Sequence, residues 1–273
     1  MLQKKYSKLK QQLAELGSIC VAFSGGVDST LLLYVAQEIL GEHAMGITVR
    51  ASMHSSREMV EAAEFVAGIG VKHFFIKADE YSIPEFVENG KDRCYHCKKA
   101  IFTKIKDLAG QSGIPYVADG SIADDVFDYR PGMIALKELE VISPLKDAGF
   151  TKQEVRLLSK QLKLPTWSKP SMACLASRIP YGVPITPEKL GMVEKGELYL
   201  LDHGFTQFRV RHHGDIARIE IIPQEQMKFL APSFMSETVK VFKDIGFTYV
   251  TLDLGGYRVG SMNEVLTQED LDI

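Results

Sequence analysis

Apolar side chains recur at helical spacing at Leu9, Leu13 and Leu16, and the pattern then changes to an unbroken run, Ile19-Cys20-Val21-Ala22-Phe23. This predicts a helix over Tyr6 to Leu16 followed by a buried strand. The small and polar stretch Ser24-Gly25-Gly26-Val27-Asp28-Ser29-Thr30 separates that strand from Leu31-Leu32-Leu33-Tyr34-Val35-Ala36. Strand, glycine turn and helix N-terminus therefore follow one another directly. Downstream, Ala44 to Val49 reads as strand, Ser56 to Gly68 as helix, Lys72 to Ile76 as strand, Ile101 to Ala109 as helix and Tyr116 to Ala118 as extended chain. Strands alternating with helices predict an α/β fold with a parallel sheet and helices on both faces. Thr151 is placed to cap a helix running to about Gln161.

Pro165, Pro170, Pro180, Pro184 and Pro187 interrupt the pattern. They suggest a boundary between a nucleotide-binding domain over residues 1–168 and a smaller α+β domain over 169–273. In the second, residues 187 to about 203 read as helix, and Phe205 to Arg211 alternate at period two. Ile216 to Ile222 follow as a second strand, then helices near 224–230 and 235–245, and a last strand at Thr248 to Leu254.

Composition adds limits. A chain of 273 residues buries enough surface for two ordinary domains. Its 32 Lys and Arg against 35 Asp and Glu give a charge of −3, so no global basic field points to nucleic acid. The start, Met1-Leu2-Gln3-Lys4-Lys5-Tyr6, carries no apolar signal region, and no stretch approaches the roughly 20 apolar residues of a membrane span. A cytoplasmic protein without membrane or nucleic-acid partners is expected. Four cysteines are too few for a disulfide scaffold in a chain of this length.

A glycine turn leading into a helix directs several N–H groups and the positive end of the helix dipole at one point, where an anion can sit. Gly25 and Gly26 allow close approach of the backbone, Ser24, Ser29 and Thr30 add hydroxyls, and Asp28 can reach Mg²⁺ through oxygen. There is no Gly-Lys-Ser/Thr of a P-loop and no Gly-x-Gly-x-x-Gly of a dinucleotide fold. The motif resembles instead the pyrophosphate loop (PP-loop) of the ATP pyrophosphatases, with an adenine nucleotide alpha hydrolase-like fold. That resemblance implies cleavage of ATP to AMP and pyrophosphate with adenylation of a substrate oxygen. Two further strand ends, Thr48-Val49-Arg50 and Asp119-Gly120-Ser121, would share the ligand rim of such a sheet. Pro144-Leu145, with the following Lys-x-Glu-Val-Arg, also resembles these enzymes, where Lys146 would face phosphate.

Cys94-Tyr95-His96-Cys97 places two thiols three residues apart, as a tight turn would for one metal ion or cluster. By itself the pair is equally half a zinc site, a redox couple or coincidence. Cys174 lies in a polar, proline-bounded loop. If the fold brings it to the pair, three thiolates and no fourth result, which suits a four-iron cluster with one open iron better than a structural zinc. Cys20, in the first strand, reads as core.

Nearly the whole chain resembles the LarE family of PP-loop sulfur transferases. The likeness rests on Ser24 to Thr30, Asp119-Gly120-Ser121 with Asp124-Asp125, Asp128-Tyr129-Arg130-Pro131-Gly132, Pro144-Leu145, Cys174-Leu175-Ala176-Ser177-Arg178, and Phe208-Arg209-Val210-Arg211. It implies ATP with Mg²⁺ held by Ala22, Ser24, Gly25, Gly26, Asp28, Ser29, Thr48, Gly120 and Lys146, with Asp28 on the metal. It implies adenylation of the carboxylates of pyridinium-3,5-biscarboxylic acid mononucleotide and their conversion to thiocarboxylates, in making the nickel-pincer nucleotide cofactor of lactate racemase. Ser177, Arg178, Arg209 and Arg211 would bind that small nucleotide substrate. Some members sacrifice the sulfur of the cysteine matching Cys174; others hold a 4Fe-4S cluster on three cysteines, and Cys94 and Cys97 place this chain with the latter, loaded by a sulfide source. A homo-oligomer is implied, with Glu197 and Glu220 as a further carboxylate metal site within it. The chain departs from the family pattern at Ile122, where a polar Asn is expected. A PP-loop tRNA thiolase is the main alternative, opposed by the charge of −3 and the short C-terminal module. A non-catalytic nucleotide sensor would not require Asp28 or the Cys174 loop, and an ammonia-using synthetase would leave three cysteines without a task.

Overall fold

The apolar runs of the first half pair as four parallel strands in the order β3-β2-β1-β4: β1 (Ile19–Ala22), β2 (Ala44–Arg50), β3 (Lys72–Lys77) and β4 (Val117–Ala118). A parallel bridge between Ala118 and Ile142 extends the β4 edge. This architecture comes from a computed structural model of the chain, which describes residues 1–127, 131–170, 174–258 and 260–267. It resolves into two units, one of residues 1–83 and 92–172, the other of 84–91 and 173–273.

Both faces of the first unit's sheet are covered, which is why its strands read as continuous apolar runs. Ile19 and Val21 of β1 face a layer formed by helices α1 (Leu2–Leu16), α2 (Val27–Leu40), α3 (Ser56–Ile69) and α8 (Lys152–Gln161). Cys20 and the β2 residues Met45, Ile47 and Val49 face the opposite layer, where Phe102 and Ile105 of α5 (Arg93–Gln111) and Leu136 of α6 (Gly132–Glu138) pack. Cys20 is fully buried, as expected, and burial pushes its thiol up to about 12. Among the described residues no helix is long and apolar enough to cross a membrane.

Helix α5 begins eight residues before the Ile101 start that the apolar pattern predicts. Its buried stripe is Arg93, Cys97, Phe102, Ile105 and Ala109, a helical spacing whose first member is charged and so escapes a hydrophobicity reading. Cys94 and Cys97 are thus one helical turn apart, where the sequence suggested a tight turn.

In the second unit, α4 (Pro84–Glu88), α9 (Pro187–Asp202), α10 (Pro223–Phe229) and α11 (Pro232–Ile245) accompany a three-stranded sheet. Its strands β5 (Phe208–His213) and β6 (Ile216–Ile221) are antiparallel, and β7 (Tyr249–Leu252) runs parallel to β6. Leu200, Phe205, Val210, Ile219, Ile221 and Phe242 fill the core. The segment 84–91 is fastened there by Asn89, fully buried, whose Nδ2 reaches the carbonyls of Ile179, Pro180 and Val183 at 3.3, 2.8 and 2.9 Å. Ile185 N–H also donates to Val87 O at 2.9 Å. The sequence suggested a single cut at 168/169; nothing in its apolar pattern marks residues 84–91 as belonging with the later half.

The start of α8 is fixed by a capping box. The Thr151 hydroxyl accepts from Glu154 N–H at 3.3 Å, and the Glu154 carboxylate accepts from Thr151 N–H at 2.9 Å. Lys5 of α1 donates to the same carboxylate at 2.6 Å, tying the first helix to the cap. Thr151→Ala is expected to lower stability by about 1 kcal/mol, read as a lower urea midpoint with an unchanged denaturant slope.

Candidate active site

The Ser24–Thr30 stretch lies at the carboxyl edge of the sheet, between β1 and α2. Gly26 is the N-cap of α2 and Gly25 has φ +73°, a left-handed conformation in which a side chain would be strained. A Cβ on Gly25 would also come within 3.2 Å of Ala62 Cβ in α3. The Ser29 hydroxyl organises the loop: it lies 3.3 Å from Ser24 N–H, 3.1 Å from the Ser24 hydroxyl and 3.3 Å from the Gly26 carbonyl. Gly120 closes on the same helix end, since a Cβ there would lie 3.0 Å from Ser29 N. Its loop is braced by buried Asp119, which accepts from the Ser121 hydroxyl and, at 2.7 Å, from the Ser143 hydroxyl. Ala22 is the last β1 residue. Thr48, on β2, is buried, and its hydroxyl turns inward to donate to Phe23 O at 2.8 Å.

Asp28, in the first turn of α2, has one oxygen 2.5 Å from Lys152 Nζ; the other is buried with no hydrogen-bond partner among the described residues. Burial raises its pKa, opposed by Lys152 and reinforced by Asp125. Lys152 N–H donates to Asp124 at 2.7 Å, and Ile122 N–H donates to Asp125 at 2.9 Å. Ile122 itself is buried in the first core layer, so an apolar residue suits that position. A second lysine, Lys169, lies 3.2 Å from the Gly25 carbonyl and pairs with Glu61 at 2.8 Å and Glu58 at 3.7 Å. The sequence reading missed both lysines. For Lys152 the signal is the Lys-x-Glu-Val-Arg motif, of which it is the first residue. Lys146, on α7 (Pro144–Asp147), is half-buried, and its ammonium has no partner among the described residues.

Cys94 and Cys97 lie in the first turns of α5, which leads into β4, and so stand at the same sheet edge as the PP-loop. Cys97 is buried with its sulfur 3.8 Å from Met53 Sδ, in the loop after β2; Cys94 is exposed with its sulfur 3.8 Å from Arg93 Nη2. None of the four cysteines forms a disulfide. Within neither unit do three or more His, Cys, Asp or Glu side chains among the described residues gather as a metal-binding group. Residues Asp128, Tyr129 and Arg130 of the Asp-Tyr-Arg-Pro-Gly motif, and Ser171 to Ala173, lie outside the described residues.

The second unit brings Cys174, Ser177, Arg178, Arg209 and Arg211 together. Arg178, 1 % exposed, makes a fork to Glu197 through Nε at 2.7 Å and Nη2 at 3.0 Å; its Nη1 reaches the Ser177 hydroxyl at 2.7 Å and Cys174 O at 3.1 Å. Arg211 makes a matching fork to Glu220 at 2.8 and 2.9 Å, and donates to Ser177 O at 3.0 Å and to the Ser261 hydroxyl at 2.6 Å. Arg209 donates to Phe208 O at 2.6 Å and lies over the Tyr257 ring at 4.9 Å. Burial lowers the Arg209 pKa, with Arg178 adding to the effect. Both strand arginines are buried, where an exposed edge strand would have left them in water.

Glu197 and Glu220, offered by the resemblance as metal ligands, are counter-ions to buried guanidinium groups in this chain. Removing one carboxylate leaves a buried charge uncompensated, a loss of roughly 3–5 kcal/mol. Glu197→Ala is therefore expected to lower the denaturant midpoint steeply without any metal present, with Glu197→Gln recovering part of the loss because its amide oxygen still accepts from Arg178.

Residues 7–127 match the family model described as asparagine synthase. An uncharacterised protein of Synechocystis sp. is 42 % identical over 98 % of this chain and 100 % of its own length. The GMP synthase (glutamine-hydrolysing) of Aeropyrum pernix is 25 % identical over 72 % of this chain and 41 % of its own. The pyridinium-3,5-bisthiocarboxylic acid mononucleotide synthase of Lactiplantibacillus plantarum is 36 % identical over 99 % of this chain and 98 % of its own. With that identity along the full length and the parallel sheet carrying a PP-loop, the chain belongs to the pyridinium-3,5-bisthiocarboxylic acid mononucleotide synthase (LarE) family, ATP-dependent, AMP-forming enzymes.

Proposed function

We propose that this enzyme adenylates a carboxylate of pyridinium-3,5-biscarboxylic acid mononucleotide and replaces the AMP by sulfur, in the making of the nickel-pincer nucleotide of lactate racemase. The observation that carries the reading is the full-length likeness to the synthase of L. plantarum. A carboxylate oxygen attacks the α-phosphorus of ATP and pyrophosphate leaves; a sulfide then attacks the acyl carbon and AMP leaves, giving the thiocarboxylate. The amides at the start of α2, with Ser24 and Ser29, suit the departing pyrophosphate. Asp28 would hold Mg²⁺, which supplies charge neutralisation on the phosphates; its buried oxygen without a hydrogen-bond partner fits a metal ligand. Lys146 is the further ammonium assigned to phosphate. Ser177, Arg178, Arg209 and Arg211 are assigned to the substrate's phosphate, with Arg178 and Arg211 acting chiefly as supports, since Glu197 and Glu220 each take two of their donors and Cys174 O, Ser177 and Ser261 take others.

Cys94, Cys97 and Cys174 are assigned to a 4Fe-4S cluster, which when bound would supply the sulfide from an open iron. The donor set supports this in part: two thiols one helical turn apart at the sheet edge that carries the PP-loop, and a third on the arginine-braced loop of the second unit. A homo-oligomer and an external sulfide source belong to the same reading.

With ATP, Mg²⁺, the dicarboxylate and a sulfide source, turnover is expected to release AMP and pyrophosphate in equal amounts; ADP and phosphate would refute adenylation. Asp28→Ala is expected to slow release on the order of 100-fold with little change in thermal midpoint, because the one bond its side chain makes among the described residues is to the partly exposed Lys152.

After anaerobic reconstitution, Cys94→Ala, Cys97→Ala and Cys174→Ala are each expected to lower bound iron and multiple turnover together. Full activity of the first two, with Cys174 losing its sulfur after one turnover by mass spectrometry, would establish the sacrificial route instead.

A further inference from the structure

His73 lies on β3, two strands away from the PP-loop, and nothing in the sequence marks it. Its register partner on β2 is Gly46. A Cβ on Gly46 would stand 2.9 Å from His73 Cδ2 and 3.1 Å from Leu33 Cδ2, so the imidazole occupies space that only glycine leaves open. The ring is held edge-on to Phe75, with centroids 4.5 Å apart, and to Phe23 at 6.1 Å. In this seat its Nε2 lies 2.9 Å from the Thr48 hydroxyl, which lies 2.8 Å from Phe23 O.

The proton count orders this chain. Phe23 O is only an acceptor, so the single Thr48 hydroxyl proton goes to it, and His73 Nε2 must be the donor to Thr48. Burial and the neighbouring Arg50 push the His73 pKa down to about 4, so the ring is neutral at ordinary pH. Phe23 O and Ser24 N–H belong to one planar trans peptide, and they point in opposite directions. Fixing the carbonyl therefore fixes the direction of the first N–H of the PP-loop. The Phe23 N–H, which donates to Ile47 O at 2.8 Å, holds the residue's other side.

We propose that His73 is a positioning residue of the ATP site, acting through Thr48 to hold the Phe23–Ser24 peptide with its N–H directed into the phosphate-binding loop. This rests on the reading of that loop as the pyrophosphate site. Thr48 then serves nucleotide binding through its backbone and this relay, with its hydroxyl committed inward.

The test is binding of α,β-methylene-ATP and of adenosine, by calorimetry with Mg²⁺, to wild type, His73→Phe, His73→Gln, Thr48→Val and Thr48→Ser. His73→Phe and Thr48→Val each remove one relay hydrogen bond and are expected to weaken the triphosphate analogue about threefold to tenfold. His73→Gln and Thr48→Ser, which keep a donor, should recover most of the affinity. Adenosine, lacking phosphate, should bind all five proteins within twofold. Equal weakening of adenosine and analogue would show general loss of structure and overturn the proposal. So would an unchanged analogue affinity in His73→Phe and Thr48→Val, or failure of the conservative variants to rescue. A wild type that binds neither ligand would overturn the ATP-site reading itself.

Discussion

The unsatisfied N–H groups at the start of α2 set the main constraint on the first unit. An α-helix leaves its first N–H groups without intrahelical partners, and here that end stands at the carboxyl edge of a parallel sheet. The residues that crowd it are small: Gly25 and Gly26 in the loop, Gly120 opposite, with Ser24 and Ser29 supplying hydroxyls. The charged groups are arranged against the same field. Two ammonium groups near the positive end of a helix dipole are disfavoured there, and Lys152 and Lys169 are held by carboxylates, Asp28 for one, Glu58 and Glu61 for the other. An anion at the helix end would relieve both the dipole and the ammonium charge, which is why the geometry suits a polyphosphate.

The second unit meets a different problem. Arg178, Arg209 and Arg211 are nearly inaccessible, and a guanidinium cannot shed its proton to escape the desolvation. The planar fork of arginine matches a carboxylate at two points, and Glu197 and Glu220 use that match in full. Further Arg178 and Arg211 donors reach Cys174 O, Ser177 and the Ser261 hydroxyl. The loop bearing Cys174 is thus pinned by buried charge at its backbone.

The periodicity of the chain carried most of the fold because both sheet faces are covered by apolar layers. Ile19 and Val21 against Cys20 in β1 is a two-sided burial that only a strand between helices explains. The misreadings have local causes. Helix α5 opens on Arg93, buried in spite of its charge, so its first two turns carried no apolar signal. The segment 84–91 joins the second unit through the Asn89 amide, which reaches three carbonyls some ninety residues later, and through backbone bonds such as Ile185 N–H to Val87 O, none of which a period can announce.

The candidate site was legible where backbone conformation demanded a residue type and illegible where a side chain acted at a distance. Gly25 and Gly120 stand out because an added Cβ meets atoms or strain. Gly46 is glycine for the same kind of reason, yet it reads in the sequence as an ordinary strand residue, because the group it makes room for is His73, on the neighbouring strand. Lysines and arginines are similarly ambiguous: surface lysines are abundant, and only the fold distinguishes Lys152 and Lys169 from them. A motif records what the ligand requires of the backbone beside it. The hydrogen bonds that hold that backbone come from neighbouring strands and helices, and they become visible only when register and packing are known.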